Sequence, residues 1–277
     1  MPFQTTIKKE CFFTGIGLHN GIKTALKLMP AEAGAGILFL TQKGSVKGSY
    51  KNIKDGTYAL SLASGKAGVV TSEHLLAALY GAGIDNVFCE LTGSEEVPIL
   101  DGSALEFSKA IQKAGVRVFT KKRREVKILE DFLAVEPETG RFLKTEKADN
   151  LEIRYYASYE NPALGSKYRE FTLSRRKFIK EISKARTFGW EEQVKEQKKL
   201  GLIKGAGMEN ALMFGSKGVV NKGGLRYKDE IIRHKIMDLL GALALLPFSI
   251  KGRFTAFKSG HNLDLKMIKI IGGIYDR

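Results

Sequence analysis

Two ten-residue segments rhyme across most of the chain's length. E-H-L-L-A-A-L-Y-G-A (73–82) aligns with R-H-K-I-M-D-L-L-G-A (233–242), histidine on histidine and glycine on glycine. Each is followed by a strand-like stretch and then a Thr/Ser-Gly turn, at Thr92-Gly93 and Ser259-Gly260. Between them lies a charged break, K-K-R-R-E (121–125). A helix–strand–turn unit repeated on either side of such a break constrains the chain to two similar α+β halves, residues 1–121 and 125–277. A pseudo-twofold pairing of the halves sets helix 72–81 beside helix 231–246, where His74 and His234 can meet.

The stretch Ile231–Pro247 reads as one helix stopped by Pro247, which cannot continue it. His234 and Asp238 are four apart and share a face, while Ile236, Leu239, Leu240 and Leu243 point to a core. Such a helix offers two metal ligands; it equally fits an ordinary amphipathic helix with a solvated face. In the partner segment Thr71 or Ser72 is placed to cap the helix, Glu73 sits in its first turn, and Gly81 can end it. Elsewhere, alternating patterns predict strands around the turn G-I-G-L-H-N-G (15–21), whose His19 reads as structural, and near 126–135, 141–145, 151–156, 168–173 and 253–257. Helical spacing marks 103–114, 177–183 and 191–200; 201–210 reads as loop, and the C-terminal stretch as a last strand or helix.

With 43% hydrophobic residues among 277, the chain can bury one large core or two modest ones. Its formal charge of +15 favours anionic partners: nucleic acid, an anionic lipid surface or a phosphorylated small molecule. The basic runs, as at Lys121–Arg124 and Lys195–Lys199, lack the interleaved aromatics of a base-stacking platform, which argues against nucleic acid. Two cysteines make no disulfide framework and fit a reducing compartment. No apolar run follows the N-terminal charges, and the longest apolar stretch, Ile236–Ile250, is interrupted by Asp238 and Pro247, so a cytoplasmic protein without a membrane span is expected.

Three of the four histidines lie at helix starts or turns beside an acid or a glycine: Glu73-His74, His234 with Asp238, and Ser259-Gly260-His261. Two imidazoles and a carboxylate form a three-ligand set that leaves zinc a fourth position for water. Glu73, next to His74, is placed to take that water's proton, and His261 to protonate a leaving group or steady an oxyanion. Spacing alone leaves open that these histidines are unconnected.

Taken in order, G-I-G-L-H-N-G, T-S-E-H-L-L-A-A-L, V-P-I-L-D-G-S, A-R-T-F, L-G-L-I-K-G-A, G-L-R-Y-K-D-E-I-I-R-H-K-I-M-D-L-L-G and S-G-H-N-L resemble the UDP-3-O-acyl-N-acetylglucosamine deacetylases of lipid A biosynthesis over nearly the whole chain. The resemblance implies an α+β fold of two similar two-layer α/β sandwich domains with the active site between their helical layers. It implies that His74, His234 and Asp238 bind zinc, with iron(II) an alternative occupant. It further implies that Glu73 is the general base, His261 the acid for the amine leaving group, and Thr187 a contact to the oxyanion. Lys235, Phe188 and Arg141 correspond to substrate contacts, and residues 188–215 to an insert that builds an acyl-chain passage. The implied substrate is a UDP-linked acylated amino sugar. The implied protein is a cytoplasmic monomer that binds no nucleic acid and at most touches an anionic membrane surface. One position departs: the family's second acid, one turn past the metal-binding aspartate, is here Ala242. Without that charge His261 should be the less easily protonated, so weaker catalysis, a lower pH optimum or a zinc-binding member without catalysis is the alternative expectation.

Overall fold

The structure, a computed structural model, describes residues 2–159 and 165–276. Its first strands are β1 (Phe3–Ile7), β2 (Cys11–Ile16), β3 (Lys23–Pro30), β4 (Ile37–Thr41) and β5 (Gly44–Lys47). A small sheet follows, β6 (Ile53–Asp55), β7 (Ser61–Ser64) and β8 (Ala67–Val69), then α1 (Glu73–Ala82), β9 (Val87–Thr92), α2 (Leu105–Ala114) and β10 (Val116–Lys122). The chain continues through β11 (Glu125–Lys127), β12 (Leu133–Glu136), β13 (Arg141–Glu146), β14 (Leu151–Ser158) and β15 (Ser166–Thr172). The one-turn α3 (Arg175–Lys177) runs into a π-helical turn at Phe178–Ile182. Then come β16 (Phe188–Trp190), α4 (Glu191–Lys199), β17 (Leu212–Gly215), β18 (Gly218–Val219), α5 (Glu230–Leu243), β19 (Ser249–Phe257) and α6 (His261–Tyr275).

The fold is α+β, and its two main sheets follow one pairing scheme. In the order β2-β3-β9-β4-β5, two hairpins flank β9, which runs antiparallel to β3 and parallel to β4. In the order β12-β13-β19-β14-β15, β19 lies between two hairpins in the same way, with β11 beside its first residues. Each central strand is preceded by a helix, α1 or α5, and followed by another, α2 or α6. Alternation builds these strands: Leu151, Ile153, Tyr155 and Ala157 of β14 are buried while the residues between them are more open. The charged break does not hang free. Lys121 and Lys122 belong to β10, which pairs with β1, and the Arg123 guanidinium donates to Asp85 at 2.6 Å.

One apolar core runs through both halves, with Leu75, Leu76 and Leu79 of α1 and Ile236, Leu239, Leu240 and Leu243 of α5 all inside it. The expected solvated face of α5 does not exist, because α1 packs on it and His234 and Asp238 are buried as well. The helix also stops earlier than Pro247. After Leu243 the chain tightens, with the Leu245 and Leu246 N–H groups donating to Ala242 and Leu243, since proline disfavours a helical residue before it. The C-terminal stretch is the helix α6.

At the α1–α5 crossing Gly241 has no room for a side chain: a Cβ there would lie 2.4 Å from the Glu73 carbonyl oxygen. Because that contact is backbone, it cannot swing away. Gly241→Ala is therefore expected to lower stability by about 1–3 kcal/mol through overpacking and, by separating the helices that carry the expected ligands His74, His234 and Asp238, to lower metal occupancy. Thermal unfolding and metal analysis check this, and a variant with unchanged Tm and metal content would show that the crossing is not tight.

Candidate metal centre and active site

The start of α1 is fixed by its neighbours before any ligand is considered. Thr71 adopts φ of 57°, costly for a β-branched residue, and its hydroxyl is held by Glu96 at 2.8 Å. Glu96, 2% exposed, also accepts the backbone N–H groups of His19 and Asn20, which ties the G-I-G-L-H-N-G turn to the same point. Neither Thr71 nor Ser72 caps α1 through its side chain: the Ser72 hydroxyl donates to the Leu60 carbonyl at 3.1 Å. Leu60 in turn donates its N–H to Glu73 Oε2 at 3.1 Å. Leu60, the residue before β7, thus binds the helix start through both its N–H and its carbonyl, orienting Glu73 and leaving His74 to face α5.

His74, His234 and Asp238 come together at the α1–α5 crossing, with one ligand atom from each within 4.8 Å of the others. Asp238 Oδ1 lies 3.4 Å from His234 Nε2 and 3.9 Å from His74 Nε2. All three side chains are buried, and among the described residues neither Asp238 oxygen has a hydrogen-bond partner. A buried carboxylate without donors costs several kcal/mol, about what a cation beside it would remove. Ligand atoms about 2.0–2.2 Å from a zinc ion stand a little over 3 Å from each other, close to the spacings seen. His234 Nδ1 lies 3.2 Å from the Ala185 carbonyl, which favours a proton on Nδ1 and leaves Nε2 as the ligand atom. The donor set therefore fits a divalent metal. Burial pushes His74 and His234 each down to about 3, keeping the imidazoles neutral as ligation requires. Burial, and next the negative Asp238, push Glu73 up to about 8 in the metal-free protein.

Of the remaining predicted positions, His261, Lys235 and Phe188 lie beside this set, whereas Thr187 and Arg141 are placed by other contacts. His261 opens α6 with Nε2 3.8 Å from Asp238 Oδ2. Burial pushes its imidazole down to about 4 against the pull of Asp238. Lys235 Nζ stands 3.7 Å from Asp238 Oδ2 and 5.5 Å from the centre of the Phe188 ring, which itself lies 6.0 Å from the His234 ring. Thr187 is held through its backbone, donating to the Gly102 carbonyl and accepting from Leu212, both at 2.7 Å. Arg141 shares a cavity of about 880 Å³ with Lys235, Phe188 and Lys258. No ion pair or hydrogen bond joins it to the metal set; its guanidinium lies 4.0 Å from Glu136.

Some residues of the site were given no role by the sequence, even where they lie inside a quoted motif. The buried Arg186–Glu230 pair, 2.8 Å between Nε and Oε1, clamps the segment before Thr187 onto the first turn of α5. Trp190 and Phe214, rings 5.4 Å apart, line the cavity with Tyr155 and Lys258. The basic residue ahead of Ser259-Gly260-His261 was the one available hint for Lys258. Nothing in spacing pointed to a tryptophan wall.

Comparison with known proteins supplies the chemistry's context. The family model described as LpxC, UDP-3-O-acyl N-acetylglycosamine deacetylase, matches residues 4–272. A UDP-3-O-acyl-N-acetylglucosamine deacetylase of Citrifermentans bemidjiense is 39% identical, over 97% of this chain and 88% of its own. Enzymes of the same name from Thermodesulfovibrio yellowstonii and Helicobacter hepaticus are 38% and 34% identical, each over 97% of this chain and over 91% and 89% of their own lengths. With a match of this extent around a His–His–Asp set of this geometry, the chain belongs to the UDP-3-O-acyl N-acetylglycosamine deacetylase family.

Proposed function

We propose that the protein hydrolyses the acetamide of a UDP-linked 3-O-acyl-N-acetylglucosamine, in the cytoplasm and as a step of lipid A biosynthesis, with zinc held by His74, His234 and Asp238. The observation that carries this reading is the donorless carboxylate of Asp238 between two neutral imidazoles, with Glu73 beside them. Zinc in such a set supplies a Lewis acid for the amide carbonyl and acidifies a water; iron(II) suits the same donors. Glu73 is buried and oriented by the Leu60 N–H, next to His74, which places it to take the water's proton. His261, on the other side of Asp238, delivers a proton to the departing amine nitrogen. Thr187, its backbone held by Gly102 and Leu212, supplies a hydroxyl to the carbonyl oxygen as charge builds there. Phe188 offers a face to the sugar, Lys235, Arg141 and Lys258 supply cations for the diphosphate, and the aromatic wall of Phe188, Trp190 and Phe214 gives the acyl chain an apolar path. No described helix is long and apolar enough to cross a membrane. The high positive charge suits both the anionic substrate and passing contact with an anionic bilayer.

The test is acetate release from the UDP-linked substrate before and after metal removal. Chelation is expected to abolish turnover and one equivalent of zinc per chain to restore it. A stripped protein that still releases acetate at the original rate would overturn the reading.

A further inference from the structure

The π-helical turn sets its first residue onto α1: a Cβ on Gly81 would lie 2.4 Å from the Phe178 ring, which is 1% exposed. The turn is held from α5 as well. The Arg233 guanidinium donates to the Glu181 carbonyl at 2.6 Å, and the Tyr227 hydroxyl to the Lys180 carbonyl at 2.9 Å. Between this fixed turn, α1, α2 and the start of β10 lies a groove of about 670 Å³. Ala78, Ile111, Val116, Phe178 and Ile179 make its lining apolar. The Ser108 hydroxyl in it is already used, donating to the Ala104 carbonyl at 2.7 Å. Arg175, Arg176 and Lys180 are exposed along it, and no acid lines it. It shares no lining residue with the cavity beside the metal set.

The cations come from one short run, R-R-K-F-I-K (175–180), four in six residues. Among the described residues no ion pair joins Arg176, Lys177 or Lys180 to an acid. Arg175 feels the charge of Asp85, but that carboxylate is already paired with Arg123 at 2.6 Å. The lining argues against a peptide, whose N–H and C=O groups would find few partners there. An acyl chain needs none. Four cations exceed what a single carboxylate or phosphate head can use, but they match a plane of anionic heads, where each basic side chain adds attraction. Their stems can lie along apolar surface while their charges stay at the level of the heads. A basic cluster beside an apolar slot supplies the two signals that together make binding to a bilayer stable.

We propose that this protein rests on an anionic bilayer through the groove between α1, α2 and the π-helical turn, with Arg175, Arg176, Lys177 and Lys180 among the lipid heads and one acyl chain against Ile111, Val116 and Ile179. This places the bilayer contact of the proposed function; it rests on that part of the reading and not on the metal chemistry.

The measurement is co-flotation of the full, metal-loaded chain with phosphatidylcholine vesicles, with and without a quarter of phosphatidylglycerol. Binding is expected only with phosphatidylglycerol and should weaken as salt rises. Arg176→Glu with Lys180→Glu should weaken it about tenfold or more. Lys54→Glu with Lys66→Glu changes the charge equally at two exposed lysines of the β6–β8 sheet and should cost about threefold or less. Ile179→Ser keeps every charge and should weaken binding about threefold or more through lost apolar contact. All these variants should release acetate from a water-soluble short-acyl substrate at the wild-type rate, since none alters the metal set or its cavity. No flotation, equal losses in the two charge pairs, or an Ile179→Ser that floats like wild type each overturns the proposal. The first denies the contact, the second leaves only general attraction by a charge of +15, and the third leaves a basic patch without a groove. Uptake of soluble dodecanoate that depends on Arg176 and Lys180, while vesicles stay unbound, overturns it too. Acetate release keeps the two levels apart. A wild type that floats but releases no acetate sinks the reading of the metal site alone; one that releases acetate but never floats sinks the bilayer contact alone.

Discussion

Glu73→Gln is expected to bind its metal and to turn substrate over about 10²–10⁴ times more slowly, the range lost with a general base. Glutamine has the shape of glutamate, and its oxygen can still accept the Leu60 N–H, so no cavity opens and the start of α1 stays put. What it cannot do is take a proton. The three proposed ligands, His74, His234 and Asp238, are untouched, so zinc content separates this variant from a ligand mutant. A second readout comes from the metal-free protein. There the Glu73 carboxyl is raised from 4.5 to about 8, so the folded chain holds this proton more tightly than the unfolded one. The contribution of this proton to folding stability is then intact below pH 4.5 and lost as pH rises toward 8. Glutamine has no such loss. The metal-free variant should melt above the wild type near pH 8, and the gap should close near pH 4. Turnover at the wild-type rate would remove Glu73 from the chemistry.

The part of this site that was legible in the sequence is the part carried by periodicity and repetition. His234 and Asp238 share a helix face because of a spacing anyone can count. His74 joined them only through the rhyme between two segments, which implied a symmetric contact that the α1–α5 packing contains. The helix caps were misread for the converse reason. Thr71 and Ser72 have the right chemistry for capping, but Glu96 and the Leu60 carbonyl, distant in sequence, compete for their hydroxyls. The same blindness to tertiary neighbours made α5 look half solvated.

His74→Ala should lose both metal and activity, the latter by roughly 10³-fold or more, because it removes the one proposed ligand that does not come from α5. His234 and Asp238 remain as a pair one turn apart on a single helix, with two ligand atoms where a structured site needs three and an open position. The fold itself should survive. The site is enclosed by an apolar core that alanine does not interrupt, and Lys235 Nζ stays 3.7 Å from Asp238, so the carboxylate keeps one cation beside it. The cleanest readout is therefore linkage: a ligand that binds only the folded chain raises Tm by mass action. Zinc added to metal-free wild type should raise Tm, and zinc added to the variant should leave it where it was. Stoichiometric zinc and normal acetate release in His74→Ala would show that the two helices meet for packing alone.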